Sequence, residues 1–141
     1  MRRKDREINN PEKIRQIILA CDCCRLAMPD GDSAYIVPMN FGYVPEGEGV
    51  FYFHCATEGK KLNLIRVNPR VGFELDTNHE LVPGPHGCAY AFRFQSVIGK
   101  GLVEMVTEPE QKKAALGLIL NHYAQRREWS FPTAFADRPH E

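Results

Sequence analysis

Two lysines follow a glycine at the end of the segment FYFHCATEGKK, residues 51–61. Leu62, Ile65 and Leu64 then read as the inward side of a short helix over 60–67. Asn68-Pro69 closes it, because the residue before a proline disfavours helical backbone. Lys60 and Lys61 therefore stand at a helix N-terminus, where a cation costs roughly 0.3–1 kcal/mol against the macrodipole. An anion held there reverses the sign, since free backbone N–H groups and both ammonium groups then act together. A phosphate suits that arrangement. Two solvated lysines are the alternative, and the stretch contains no GxxxxGK[ST] loop.

His54 and Cys55 stand side by side a few residues earlier. Nucleophilic catalysis needs thiol and imidazole within hydrogen-bond reach, but neighbours in a strand point to opposite faces. His54 is expected instead to line a pocket or touch a ligand, or to be satisfied by local hydrogen bonds. The run CDCC (21–24) has C-x-x-C spacing between Cys21 and Cys24. A structural zinc site needs a second ligand pair, for which only His86 and Cys88 have suitable types, so no metal site is expected. Buried, inert thiols are the preferred reading over a C-x-x-C redox pair. Five cysteines, three of them crowded, do not form a disulfide framework and fit a reducing compartment.

These residues must be positioned by a chain of 141 residues, a length that suits one domain, residues 1–141, with a substantial core. Lys plus Arg and Asp plus Glu are both 18, so the formal net charge is zero and the basic excess of a nucleic-acid binder is missing. The charged start MRRKDREINN has no apolar core after it, and no apolar run approaches a membrane span. A soluble cytoplasmic protein is expected.

Asn10 and Pro11 are suited to the cap and first position of a helix whose Ile14, Ile17, Ile18 and Cys21 share one face. Strands are expected over 24–28, 34–44 (with Pro38 breaking its regularity and marking an edge, a bulge or a cofactor-lined opening), 49–56 and 70–76. A turn-rich loop is expected over 77–87, then a long strand-forming stretch over 88–106 kinked near Gly99 and Gly101. Thr107 is a candidate cap for a last helix over 108–126, with Ala115, Leu118, Ile119, His122 and Tyr123 on one face. The tail 128–141 is expected to be irregular, with Trp129 and Phe131 free to cover a planar ligand or a subunit interface. Strands joined by short turns argue antiparallel pairing in a mainly β, α+β or barrel design.

In series, CRLAM, AYIVPMNFGY, VFYFHCATEGKKLNLIRVNPRVGFELD and FRFQSVIGKGLVEMV resemble the pyridoxamine 5'-phosphate oxidase-like flavoproteins. Within them the nitroimidazole-resistance (nitroimidazole reductase) branch is the most similar, down to the opening MRRKDREI. The resemblance runs from residue 1 to about residue 132. It implies an antiparallel split β-barrel with flanking helices and FMN at a homodimer interface. It also implies that Gly59, Lys60 and Lys61 hold the FMN phosphate with help from Arg25. Phe53, His54, Cys55 and Ala56 would lie beside the flavin, and Val37, Pro38, Met39 and Asn40 along its other edge. Ser96 and Val97 would reach it across the dimer, although the oxidase carries a longer polar residue where Ser96 stands. His54 matches the substrate-side histidine of the branch's F-H-x-A motif.

The same resemblance implies an FMN-dependent oxidoreductase acting on nitroimidazole-like or other small aromatic or carbonyl substrates, with NAD(P)H or another reductant as electron source. Vitamin B6 oxidation is not expected, because the oxidase's basic substrate-phosphate residues are not evident. Family members continue past the F-P region into a final strand, and here that strand is expected to be absent or replaced. The alternative function is a flavin- or haem-binding carrier or sensor without turnover, with His54 suited to an iron.

Overall fold

The computed structural model describes residues 2–124. Its elements in chain order are α1 (Pro11–Ala20), β1 (Cys24–Asp30), β2 (Ser33–Met39), β3 (Phe41–Val44), β4 (Val50–Phe53), α2 (Lys60–Val67), β5 (Arg70–Val82), β6 (Ala91–Leu102) and α3 (Pro109–Ala124), with 3-10 turns at Lys4–Arg6 and Gly87–Ala89. An antiparallel four-stranded sheet of order β2-β1-β5-β6 and a two-stranded sheet β3-β4 share one core without closing on each other. This is the split β-barrel with flanking helices. No helix of the described residues is long and apolar enough to cross a membrane.

Local chemistry builds α1 as expected. The Asn10 side chain accepts from the amides of Glu12 and Lys13 at 3.0 and 3.3 Å, a cap worth about 1 kcal/mol. Ile17, Ile18 and Cys21 are buried under it. Cys24, Leu26 and Met28 of β1 face the same core, whereas Arg25 and Ala27 face outward.

Three expectations are corrected. The single strand over 34–44 is two strands in different sheets, with the change at Asn40. Of the edge, bulge or cofactor-lined opening that Pro38 can mark, the structure shows the edge: Pro38 pairs with Arg25 within β2, an edge strand where a missing N–H is tolerated. Inward parity runs unbroken through Tyr35, Val37, Met39, Phe41 and Tyr43, so alternation cannot reveal a change of sheet. Second, β5 extends through Val82 into the expected loop. Third, the irregularity lies on β5 between Thr77 and Glu80, with Asn78 at φ 55°, and the register through Gly99 and Gly101 is continuous. Gly99 lacks a side chain for a packing reason, since a Cβ there would collide with the Phe73 ring.

Helix α3 covers β3 and β4, and Ala115, Ile119 and His122 are buried on the face expected of it. Glu108 rather than Thr107 holds the cap position, its carbonyl accepting from the Lys112 amide at 3.0 Å. Pro109, preset for a first helical turn, forces that boundary. A Cβ on Gly42 would lie 2.7 Å from the Leu118 carbonyl carbon and 2.8 Å from the Ile119 nitrogen, so the glycine lets the helix backbone seat directly on β3. Residues 125 and 126 of the expected helix, the tail with Trp129 and Phe131, and the question of a final strand lie outside the described residues.

The C-terminal turn of α3 is bolted to the α1–β1 junction. His122 Nε2 donates to the Cys21 carbonyl at 2.8 Å. Tyr123 donates its hydroxyl proton to the Asp22 carbonyl at 2.8 Å and accepts from the Phe41 amide at 3.2 Å. Burial lowers the His122 pKa from its usual range, against a smaller opposing effect of the bond to Cys21. The folded state thus keeps the ring neutral, while the unfolded chain takes up a proton below about pH 6.5. His122 therefore contributes its full stability above that pH and loses it as pH falls towards the lowered folded value. Urea melts at pH 7.5 and 5.5 are expected to show a larger acid loss for wild type than for His122→Gln. Equal losses would show that this histidine does not carry the effect.

Candidate functional site

Helix α2 begins at Gly59, whose φ of 141° is open to glycine and strained for other residues. Nothing lies within 4 Å of where its Cβ would be, and no side chain caps the helix. By helix geometry the amides of Lys60, Lys61 and Leu62 have no intrahelical acceptor.

The two lysines are not equivalent. Lys60 Nζ pairs with Asp30 Oδ2 at 2.8 Å and lies 4.8 Å from the Tyr35 ring centroid. Asp30 accordingly raises the Lys60 pKa. Lys61 Nζ lies 3.3 Å from Met39 Sδ and has no carboxylate partner among the described residues. Lys61 is thus the cation whose charge is available to an anion at the helix start. Asp30 was missed in the sequence as a partner of Lys60: it is the last residue of β1, and locally it reads only as part of the turn that follows.

Strand β4 delivers the next group. Phe53 is half-buried and stacks on Phe51 with centroids 6.2 Å apart and planes at 9°. His54 is exposed, Cys55 is half-buried against the core, and Ala56 is exposed. The expected strand over 49–56 ends at Phe53, so His54 and Cys55 lie beyond β4 and strand alternation does not orient them; they differ in exposure alone. His54 has no hydrogen-bond or ion-pair partner among the described residues. On β2 the same alternation turns Val37 and Met39 inward and Pro38 and Asn40 outward. Met39 joins this strand to Lys61, so α2, β2 and the end of β1 meet at one place.

Arg25 and Ser96 lie elsewhere, on the outward face of the four-stranded sheet. Arg25 Nη1 donates to Glu74 Oε2 at 3.0 Å and to Asp76 Oδ1 at 3.2 Å. Two carboxylates therefore share its charge, and Asp76 also lies 3.5 Å from His79 Nε2. Ser96 is exposed opposite Asp76, while Val97 pairs with Leu75 and faces the core. A shallow cavity of about 700 Å³ opens on this face, lined by Arg25, Ala27, Ile36, Gly72, Glu74 and their neighbours. Glu74 and Asp76 were also missed. Their i, i+2 spacing puts them on one face, but their partner is set by strand register.

The cysteines do no evident chemistry. Burial, with the charges of Cys23 and Glu74 adding to it, pushes the Cys24 thiol up to about 12. Cys21 donates its S–H to the Ile17 carbonyl at 3.1 Å. His86 and Cys88 are exposed at the Gly87–Ala89 turn. No group of three or more His, Cys, Asp or Glu side chains among the described residues is placed to hold a metal ion.

The uncapped helix start, its two lysines and the split barrel around them coincide with a family match. The model of the pyridoxamine 5'-phosphate oxidase family matches residues 10–140. The chain belongs to this family. Among solved structures, a Bacteroides thetaiotaomicron protein provisionally assigned to 5-nitroimidazole antibiotic resistance is 32% identical, with a TM-score of 0.74 over 89% of this chain and 71% of the other. A FAD and haem binding protein from Mycobacterium smegmatis shares the fold at 14% identity and a TM-score of 0.70, over 89% of this chain. The flavocytochrome Anf3 from Azotobacter vinelandii does so at 13% and 0.66, over 92% of this chain. This chain spans 60% of the length of each of these two. No curated protein matches the chain.

Proposed function

We propose that this member of the pyridoxamine 5'-phosphate oxidase family is an FMN-dependent oxidoreductase that reduces nitroimidazole-like or other small aromatic or carbonyl substrates, with the flavin held between two copies. The observation that carries the reading is the start of α2: an open Gly59, uncapped amides, and Lys61 without a carboxylate partner among the described residues. These groups fit a phosphate monoester. The 32% identical neighbour assigned to 5-nitroimidazole resistance supports the substrate class, and the FAD and haem binding neighbour supports a flavin.

A bound flavin supplies two-electron redox chemistry that no side chain of this chain can, with NAD(P)H as the proposed source of electrons. The chain supplies the rest. Gly59, Lys60 and Lys61 hold the phosphate. Phe53 to Ala56 and Val37 to Asn40 flank the ring system, and Ser96 and Val97 approach from the second copy. Arg25 acts on the phosphate only at the expense of its bonds to Glu74 and Asp76.

His54, exposed and without a partner among the described residues, can deliver a proton to a substrate oxygen. His54→Ala is expected to retain FMN while steady-state reduction of a nitroimidazole slows about a hundredfold or more, the usual scale for a positioned acid. Unchanged turnover would remove His54 from the mechanism.

The exposed His54 also supports a second reading, a haem- or flavin-binding carrier or sensor without turnover, because an imidazole of this kind can ligate iron. Visible spectra and turnover together separate the two. A sharp Soret band that disappears in His54→Ala favours the haem carrier, two broad flavin bands with reduction of a nitroimidazole favour the oxidoreductase, and flavin bands without turnover favour the flavin carrier.

A further inference from the structure

The bulge in β5 decides where one histidine goes. Thr77 pairs with Gln95 and Glu80 with Arg93, so Asn78 and His79 together stand opposite Phe94. Asn78 takes the left-handed conformation at φ 55°, which asparagine tolerates better than most residues, and its Nδ2 donates to Gln95 Oε1 at 2.7 Å. One extra residue flips the side-chain parity of all that follows. Asp76, His79 and Leu81 therefore share one face, where strict alternation would send His79 to the other side with Thr77.

On that face His79 meets two aromatic rings. Its ring centroid lies 6.0 Å from that of Phe92 and 6.3 Å from that of Phe94, with the planes at 28° and 23°. The three rings are parallel-displaced rather than edge-to-face. Each phenylalanine is 56% exposed, and the His79 side chain 45%. They pave a two-stranded arm beyond Gly72–Glu74, the part of β5 that β1 covers.

The charge at the foot of this shelf is negative. Asp76 Oδ1 lies 3.5 Å from His79 Nε2, and Asp76 and Glu74 share the one guanidinium of Arg25. Beside a neutral imidazole, two carboxylates and one arginine leave one negative charge. Glu80 and Arg93 lie on the opposite face. Lys100 is six residues from Phe94 along β6, roughly 20 Å at the rise of a strand and beyond the screening length. The faces of aromatic rings are themselves negative and attract cations. Ring faces and surplus carboxylate thus call for the same ligand, one that is flat and positively charged.

We propose that His79, Phe92 and Phe94 form a binding site for a planar aromatic cation of the N-alkylpyridinium class, its ring stacked on the phenylalanines and Asp76 serving as counter-ion. The site uses side chains that the flavin reading leaves idle, and its test needs no flavin.

The probes are 1-methylnicotinamide, a flat cation, and nicotinamide, its neutral counterpart of nearly the same shape. Isothermal titration of the full chain at about pH 8, above the usual imidazole range, is expected to show the cation bound about tenfold or more tightly than the amide. Phe92→Leu and Phe94→Leu keep apolar bulk and remove a ring. Each is expected to weaken the cation about twofold to fivefold, the scale of one exposed cation–π contact. Asp76→Asn leaves Arg25 balanced by Glu74 alone. It is expected to weaken the cation at low salt and less at high salt, with nicotinamide unaffected, and it carries the test if a phenylalanine variant does not fold. No binding of 1-methylnicotinamide, equal binding of the two probes, or binding indifferent to all three substitutions would overturn the proposal. A chain that binds the cation on this shelf yet takes up no FMN would sink the flavin reading and leave this one standing.

Discussion

Lys61→Ala is expected to weaken FMN binding about tenfold to a hundredfold, the range set by losing a hydrogen bond to a charged group at about 1.5–3 kcal/mol. Lys61 is the lysine at the α2 start without a carboxylate partner among the described residues. Lys60→Ala acts differently, because its ammonium is already engaged by Asp30 at 2.8 Å. Removing it unmasks a carboxylate beside the bound phosphate. That repulsion is screened by salt, so the Lys60→Ala loss should shrink as ionic strength rises and should be recovered largely by adding Asp30→Asn. The double lysine variant should lose most of the binding. Titration followed by flavin fluorescence reads all of this, and riboflavin is the control because it lacks the phosphate. Losses of equal size for riboflavin and FMN would place the phosphate elsewhere.

The second large effect is on stability. Phe41 is fully buried where β3, β4 and α3 meet. Its ring lies 4.2 Å from the His122 ring centroid and 5.7 Å from that of Phe51, and its amide donates to the Tyr123 hydroxyl. Phe41→Ala is expected to cost about 3–5 kcal/mol through lost transfer energy and the cavity left behind. For a domain stable by about 5–15 kcal/mol, that is a large share. Urea unfolding should show a lower midpoint at unchanged slope. A loss under about 1 kcal/mol would mean that α3 is not seated on β3 as described. The effect reaches the site as well, because Phe41 pairs with Phe53, the residue before His54.

Much of the fold was legible because its signals are local. Asn10 and Pro11 start α1, Asn68-Pro69 ends α2, and the spacing of Ala115, Ile119 and His122 marks the buried face of α3. Each depends on interactions within a few residues, and those survive reading the chain as a string. The same holds for the lysines at the start of α2, since helix polarity is a local rule. The nature of the family was carried by several motifs in series rather than by any one spacing.

What the chain did not disclose depends on which distant segments meet. Alternation through Met39, Asn40 and Phe41 is the same whether one strand continues or two sheets share it, so only the pairing of β3 with β4 shows the break. Arg25 reads as a free cation until β1 and β5 are set in register, which brings Glu74 and Asp76 to it from 49 and 51 residues away. Lys60 and Lys61 look alike in sequence until the end of β1 brings Asp30 to one of them. Side-chain type and local spacing can say which charges a chain owns. Which of them remain unneutralised, and so can act on a ligand or a second copy, is settled by long-range strand pairing.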